Sequence, residues 1–294
     1  MCGFAFGVGV ESSSPELARL RLTAEALSHR GPDASTSGVL PTIPHAISFV
    51  HTRLAIIDLS ALANQPFYSD DGKWMLLYNG EIYNFLELRN ELEVAGVVFH
   101  SNSDTEVLLK AWMQWGRHCL DRLRGMFAFC VVNLELRSAT ICRDPFGIKP
   151  IYWAWDGKKL FVASEIPAIK TMSGRTFRAD QQTAFNFLRH GFYDRSSSTF
   201  YDGISSLPPG SMMSVDFSRS KIEVSVESWF EVPQTFQQIY SPADSERMVF
   251  EALCKTVELH LRADTEVGVA LSGGIDSSTI AALVRHVAPD TPLT

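Results

Sequence analysis

The chain has 294 residues, enough for one large domain or two ordinary ones, and its balance of 46% apolar to 20% charged residues is that of a globular protein with material for a core. The formal net charge is −7, and no stripe of Lys and Arg runs through the sequence, which argues against nucleic acid as a partner. No stretch approaches the roughly 18 apolar residues of a membrane span, and the amino terminus lacks the basic-then-apolar pattern of a secretory signal. Cytoplasmic location, with no membrane partner, is the expectation.

Phe4 to Val10 is apolar and Gly-rich and reads as a strand. Pro15 to Leu27 has helical spacing behind Ser14 as N-cap. Ala46 to His51 and Trp74 to Tyr78 read as strands, and Phe85 to Ala95 as an amphipathic helix stopped by Gly96. Ser103 or Asp104 caps a further helix with Val107, Leu108, Ala111 and Trp112 on its apolar face. Short strands follow at Met126 to Val132, Ala139 to Cys142, Ile151 to Trp155 and Leu160 to Ala163, the last two joined by the hairpin signal Asp156-Gly157. Gln181 to Arg189 is again helical. A Pro- and Gln-containing stretch then reads as a connection, although Val224 to Phe230 has the pattern of a last strand. Beyond it come a helix at Ser245 to Leu261, a compact strand at Glu266 to Leu271, a tight loop at Ser272 to Asp276 and a helix at Ser277 to Val287.

The five cysteines are Cys2, Cys119, Cys130, Cys142 and Cys254, and none forms a C-x-x-C pair, so neither a zinc site nor a dithiol motif is indicated. Cys130 and Cys142 sit in apolar runs and read as buried thiols. Cys2 differs by its position. Removal of Met1 would put a thiol and a free α-amine on one residue. The amine's reference pKa of ~7.7–8.0 leaves much of it neutral near pH 7–8, and the thiol's lies at ~8.5, so nucleophile and base can share a residue. Acyl transfer also needs oxyanion donors, which the Asn79 side-chain amide and the Gly80 backbone N–H in a tight turn would supply. An amino-acid substrate needs a cation for its carboxylate, a role suited to Arg53, and carboxylates for its ammonium, suited to Glu81 and Asp104. Taken singly, each piece also has a structural reading: Asn-Gly as a turn, Arg-Gly-Pro as a loop, Asp104 as a cap.

In this order the segments Met1-Cys2-Gly3, His29 to Asp33, Asn79 to Asn84, Leu123 to Phe129, Arg143 to Pro150 and Ala163 to Glu165 resemble the N-terminal-nucleophile glutamine amidotransferases, and more narrowly the glutamine-hydrolysing asparagine synthetases. The resemblance implies an α+β fold. An αββα glutaminase sandwich over residues 2–217 precedes a connection at 218–243, and 244–294 begin a parallel α/β ATP-pyrophosphatase domain. It implies that Cys2 forms a glutamyl thioester, and that Arg53, Leu54, Ala55, Ile56, Ile57, Asn79, Gly80, Glu81 and Asp104 line the site for L-glutamine.

Leu271-Ser272-Gly273-Gly274-Ile275-Asp276-Ser277 joins strand to helix without the lysine of a Walker loop. Its glycines and helix N-terminus suit an anion, although a plain Gly-rich turn has the same look. By the same resemblance it is the pyrophosphate loop for ATP, with Leu271 in the nucleotide site and Ser272 to Ser277 on phosphate. ATP and Mg²⁺ would serve the synthetase half, whose acceptor is aspartate or another carboxylic acid, such as a cell-surface sugar acid. Members of the family often dimerise. A parallel nucleotide domain needs more strand–helix units than this one, so the chain reads as a fragment that keeps glutaminase chemistry, or as a catalytically silent interaction piece. Its terminal unit is expected to expose apolar surface.

Overall fold

A computed structural model describes residues 1–10, 14–193, 196–232 and 240–290. Pro233 and the Gln-rich patch of the expected connection lie outside the described residues. Along the chain run the strands β1 (Gly3–Val10), β2 (Ala34–Leu40), β3 (Ala46–Arg53), β4 (Phe67–Tyr68), β5 (Trp74–Ile82), β6 (Gly125–Asn133), β7 (Ser138–Arg143), β8 (Tyr152–Trp155), β9 (Leu160–Ala163), β10 (Ser205–Ser206), β11 (Ser211–Asp216) and β12 (Glu223–Ser228). The helices are α1 (Ser14–Leu27), α2 (Phe85–Val94), α3 (Asp104–Trp115), α4 (Ile166–Ser173), α5 (Gln181–His190), α6 (Pro242–His260) and α7 (Ile275–Val287).

The strands form two six-stranded sheets, ordered β10-β8-β9-β1-β3-β2 and β12-β11-β7-β6-β5-β4. Alternation decides what lies between them. Phe4, Phe6 and Val8 of β1, Ile47 and Phe49 of β3, and Met75 and Leu77 of β5 share one core cluster between the sheets. The intervening residues face outward: Ala5 and Val50 pack with Leu20 and Leu27 of α1 and Ile169 and Met172 of α4, while Leu76 and Tyr78 pack with Leu88 of α2 and Val107, Leu108 and Trp112 of α3. The result is the four-layer αββα sandwich, with Cys130 and Cys142 buried as expected.

Local signals account for several boundaries. The Ser103 hydroxyl accepts from the Thr105 N–H at 3.1 Å and caps α3. Gly96 and Gly157 take φ of +88° and +89°, ending α2 and turning β8 into β9. Within the stretch read as a connection, β12 hydrogen-bonds along β11 and extends the second sheet.

The strand expected at Glu266–Leu271 does not form; these residues carry no regular secondary structure, pair with no described strand, and Leu271 is 65% exposed. A strand exists only against a neighbour that takes up its N–H and C=O groups, and no described strand runs beside this one. Of α6 and α7 together, only Leu283 and Val284 are buried, so the apolar surface expected of this unit is exposed.

A buried polar contact crosses the core between the sheets. His51 of β3 is buried, and its Nε2 lies 3.1 Å from the carbonyl oxygen of Tyr78 on β5. Burial pulls its pKa down to about 4, so the ring is neutral and donates. The unfolded chain binds a proton at this residue below its ordinary value, 6.5, where the folded chain does not. Stability is therefore lost progressively as pH falls from 6.5 towards 4, by about 3 kcal/mol in all. Urea midpoints measured across that range should show the loss, and His51→Gln should flatten it; an unchanged slope in the variant would assign the acid sensitivity elsewhere.

Candidate active site at the amino terminus

The first residues of a chain usually fray; here they are held. Gly3 pairs with Thr52 of β3, and Phe4 exchanges hydrogen bonds with Ser164, whose N–H donates to the Phe4 carbonyl (2.9 Å) and whose hydroxyl accepts the Phe4 N–H (3.1 Å). Arg30 Nε donates to the Cys2 carbonyl at 2.9 Å, and its Nη1 to Glu165 Oε1 at 2.8 Å. A side chain on Gly31 would meet the Thr52 carbonyl carbon at 2.3 Å and the Arg53 nitrogen at 2.4 Å, so only glycine lets this turn lie against the end of β3. The Cys2 sulfur is thereby fixed beside Leu54: it accepts the Leu54 N–H at 3.4 Å and faces the Leu54 carbonyl oxygen at 3.6 Å. Burial pushes the thiol above its ordinary value, so ionisation near neutrality needs a base.

Opposite lies β5. Asn79-Gly80 is not the tight turn expected from the sequence: both residues sit within the strand, Asn79 opposite Ala128 and Gly80 opposite Phe127 of β6. Glycine is required there for closeness, since a Cβ on Gly80 would fall 2.3 Å from the Met126 oxygen. Asn79 is fully buried, and neither its Oδ1 nor its Nδ2 has a hydrogen-bond partner. An unpaired buried polar group costs about 1–3 kcal/mol. Both atoms belong to a side chain that lines a cavity beside the Cys2 thiol, where the polar groups of a ligand could pair with them.

Asp104 heads α3 without capping it; its Oδ2 accepts from the Tyr78 hydroxyl (2.9 Å) and the Ile82 N–H (3.0 Å), and burial pushes its pKa up against those hydrogen bonds. Glu81 is pushed up to about 7 by its own burial and by the Asp104 charge, with Lys149 acting the other way. Arg53 is turned largely to structural use. Its Nη1 donates to the Ser60 carbonyl (2.7 Å) and Asn64 Oδ1 (2.9 Å), and its Nη2 to the carbonyls of Ile57 (3.4 Å) and Asp58.

The cavity is lined by Met1, Cys2, Arg53, Leu54, Ile56, Ile57, Asn79, Gly80, Glu81 and Asp104, together with Gln65, Tyr78, Ser103, Thr105, Met126 and Lys149. The structure thus gathers every residue proposed from sequence around Cys2 except Ala55, whose N–H instead donates to Asp33 Oδ2 at 2.8 Å. Lys149 is the chemically significant residue not singled out. The motif around it, Arg143 to Pro150, carries no chemistry of its own in the sequence.

The Leu271–Ser277 loop stands apart from this cavity. Gly273 takes φ of +80° with open space around it, Ile275 and Asp276 already belong to the first turn of α7, and the Ser277 hydroxyl accepts the Ser272 N–H at 3.2 Å. An open glycine turn at the N-terminus of a 13-residue helix fits a phosphate. Among the described residues no cluster of His, Cys, Asp and Glu suited to a metal occurs, and no helix is long and apolar enough to cross a membrane. The segment before the loop touches the first unit: Arg262 pairs with both Glu87 oxygens at 2.6 Å, Asp264 N–H donates to the Ile56 carbonyl (2.9 Å), and Asp264 Oδ2 accepts the Asp58 N–H (2.7 Å).

Family models match residues 1–229 as a glutamine amidotransferase domain and residues 248–294 as asparagine synthase. The chain is 32% identical, over 98% of its length, to the glutamine-hydrolyzing asparagine synthetase 1 of Bacillus subtilis, of which it covers 44%. It is 29% identical, over 97% of its length, to a putative glutamine-hydrolyzing asparagine synthetase 2 of Methanocaldococcus jannaschii, covering 57%, and 32% identical, over 91%, to the amidase chry2 of Gibberella zeae, covering 39%. It therefore spans about half the length of these curated relatives. The solved glutamine phosphoribosylpyrophosphate amidotransferase of B. subtilis matches with a TM-score of 0.53 at 18% identity, over 99% of this chain and 65% of that one, a likeness of fold. The chain belongs to the glutamine amidotransferase family, in the arrangement of the glutamine-hydrolysing asparagine synthetases, with a match to asparagine synthase behind the amidotransferase domain.

Proposed function

We propose that this chain hydrolyses L-glutamine at Cys2 after removal of Met1. The observation that carries the reading is the buried, unpartnered amide of Asn79 lining the same cavity as the Cys2 thiol. In the proposed reaction the α-amine of Cys2 takes the thiol proton and the sulfur attacks the side-chain carboxamide carbon. The oxyanion is held by Asn79 Nδ2 and the Gly80 N–H. The C–N bond breaks as the amine returns the proton to the leaving nitrogen, releasing ammonia and leaving a thioester. Water, deprotonated by the same amine, cleaves the thioester to glutamate and restores the thiol. Glu81 and Asp104 receive the substrate ammonium. Arg53 contributes positive charge for its carboxylate while holding the 57–60 backbone.

The ammonia is read as amidating aspartate, or another acid, in the longer protein. ATP bound there would activate the acid as an acyl-adenylate with release of pyrophosphate, aided by Mg²⁺; Ser272, Gly273, Gly274 and Ser277 suit its phosphates. Cytoplasmic location and pairing of amidotransferase halves into a homodimer belong to the same proposal. An interaction role without catalysis draws on the exposed apolar faces of α6 and α7.

Purified chain should arrive without Met1 by mass spectrometry and release ammonia and glutamate from glutamine. Cys2→Ala should reduce the rate on the order of 10³-fold or more. Equal rates, or full retention of Met1, would sink the proposal. Because Glu81 titrates at about 7 and binds the ammonium only when charged, KM for glutamine should rise as pH falls from 8 to 6. Glu81→Gln should raise KM about tenfold at pH 8 and remove that pH dependence; a KM that still climbs with acid in the variant would exclude Glu81 as the cause.

A further inference from the structure

The motif Arg143 to Pro150 has no part in the chemistry above, yet its backbone is among the most tightly held near the cavity. The buried Asp144 carboxylate accepts the N–H groups of Phe146 (3.1 Å) and Ile148 (2.9 Å) at Oδ1 and of Lys149 (2.9 Å) at Oδ2. From the other side, Arg143 Nε donates to the Lys149 carbonyl at 3.0 Å and its Nη2 to the Gly147 carbonyl at 2.7 Å. Both backbone groups of Lys149 are thus fixed by side chains. The residue is 3% exposed and lines the Cys2 cavity. There the ammonium meets the Met1 sulfur at 3.1 Å, a weak acceptor for a buried cation with three protons to donate. Removal of Met1 takes that acceptor away and leaves the α-amine of Cys2 at the new end of the chain.

We propose that Lys149 is a positioning residue of the glutamine-hydrolysing site: its fixed positive charge keeps the α-amine of Cys2 unprotonated, so that the amine can accept the thiol proton. The inference rests on the hydrolysis reading above. The charged groups around the amino terminus are Cys2 itself, Arg30 and Asp33 from the turn after α1, and Lys149. Glu81, across the cavity, faces Lys149, as do Arg30, Asp144 and Cys2. At the Met1 amine, burial, Arg30 and Lys149 lower the pKa while Cys2 and Asp33 raise it; Cys2, one residue inward, lines the same cavity as Lys149. Of the two cations, Arg30 is committed to the Cys2 carbonyl and Glu165, whereas Lys149 makes no ion pair among the described residues and faces Glu81, Cys2 and Asp144. A cation beside an amine disfavours its protonated form, which places the amine on the accepting side at neutral pH.

The amine is titrated directly in the chain lacking Met1, in a Cys2→Ser background that removes the competing thiol, by pH-dependent labelling with acetic anhydride and mass spectrometry of the N-terminal peptide. The midpoint should lie below the ordinary α-amine range of ~7.7–8.0 and rise by about one pH unit in Lys149→Met, while Lys149→Arg keeps it low. With Cys2 present, the acid limb of kcat/KM should move upward by a similar amount in Lys149→Met; Glu81 also contributes to that limb, so the labelling decides. Coincident midpoints with and without Lys149 would overturn the inference, as would an ordinary midpoint in the Lys149 chain, a measurement that stands even if Lys149→Met fails to fold. A chain that releases no ammonia would instead overturn the hydrolysis reading, with the labelling still deciding the role of Lys149.

Discussion

The inward-facing rows of three strands turn from apolar to polar at the same end of the sandwich, and the site depends on that alignment. Side chains two apart on a strand share a face. On β1 the inward row Val8, Phe6, Phe4 continues to Cys2; on β3, Ile47 and Phe49 continue to His51 and Arg53; on β5, Met75 and Leu77 continue to Asn79 and Glu81. The antiparallel register Gly3 to Thr52 sets the first two rows level, and the His51–Tyr78 hydrogen bond levels the third from across the core. The cavity is the place where the core runs out of apolar side chains. Shifting any one strand by a single residue would point its polar groups into a helix layer.

This origin explains the electrostatics. A cavity that continues a hydrophobic core is poorly solvated, so charges and thiols in it are displaced in the direction burial dictates: Cys2, Glu81 and Asp104 upward, Lys149 downward. Two carboxylates near each other and one buried ammonium make a poor arrangement for stability alone. The unpaired Asn79 amide worsens it. Such groups persist where the rest of the sandwich is well packed, and the fully buried rows on either side of the site supply that packing.

Much of the frame was legible because alternation and turn residues act locally. β1, β3, β6 and β9 declare themselves by apolar runs, and α3 by Ser103 and its apolar stripe. What escaped had tertiary causes. β2 is Ala-Ser-Thr-Ser-Gly-Val-Leu, an edge strand held by pairing with β3 more than by burial. β5 runs on through Asn79-Gly80 because β6 pairs along its whole length and leaves room only for glycine at 80, overriding the turn preference of Asn-Gly. Arg53 was legible as a cation of the site, but the four acceptors of its guanidinium come from a loop whose path depends on the completed fold. Lys149 was hidden for the same reason: its placement rests on Asp144 and Arg143, which act only once β6 and β7 have formed.

The second unit meets the first at the wall of this cavity. Asp264 holds the Ile56 carbonyl with its N–H and the Asp58 N–H with its carboxylate, so one residue spans the backbone on both sides of Ile57, which lines the site. The exposed loop with Ser272 and Gly273 follows a few residues later. Between them lies Glu266–Leu271, which pairs with no described strand. A segment anchored at one end to the cavity wall, with no backbone partner among the described residues, leaves its N–H and C=O groups open to pairing. The described strands of the amidotransferase sandwich all pair within its two sheets, whereas 266–271 belongs to neither.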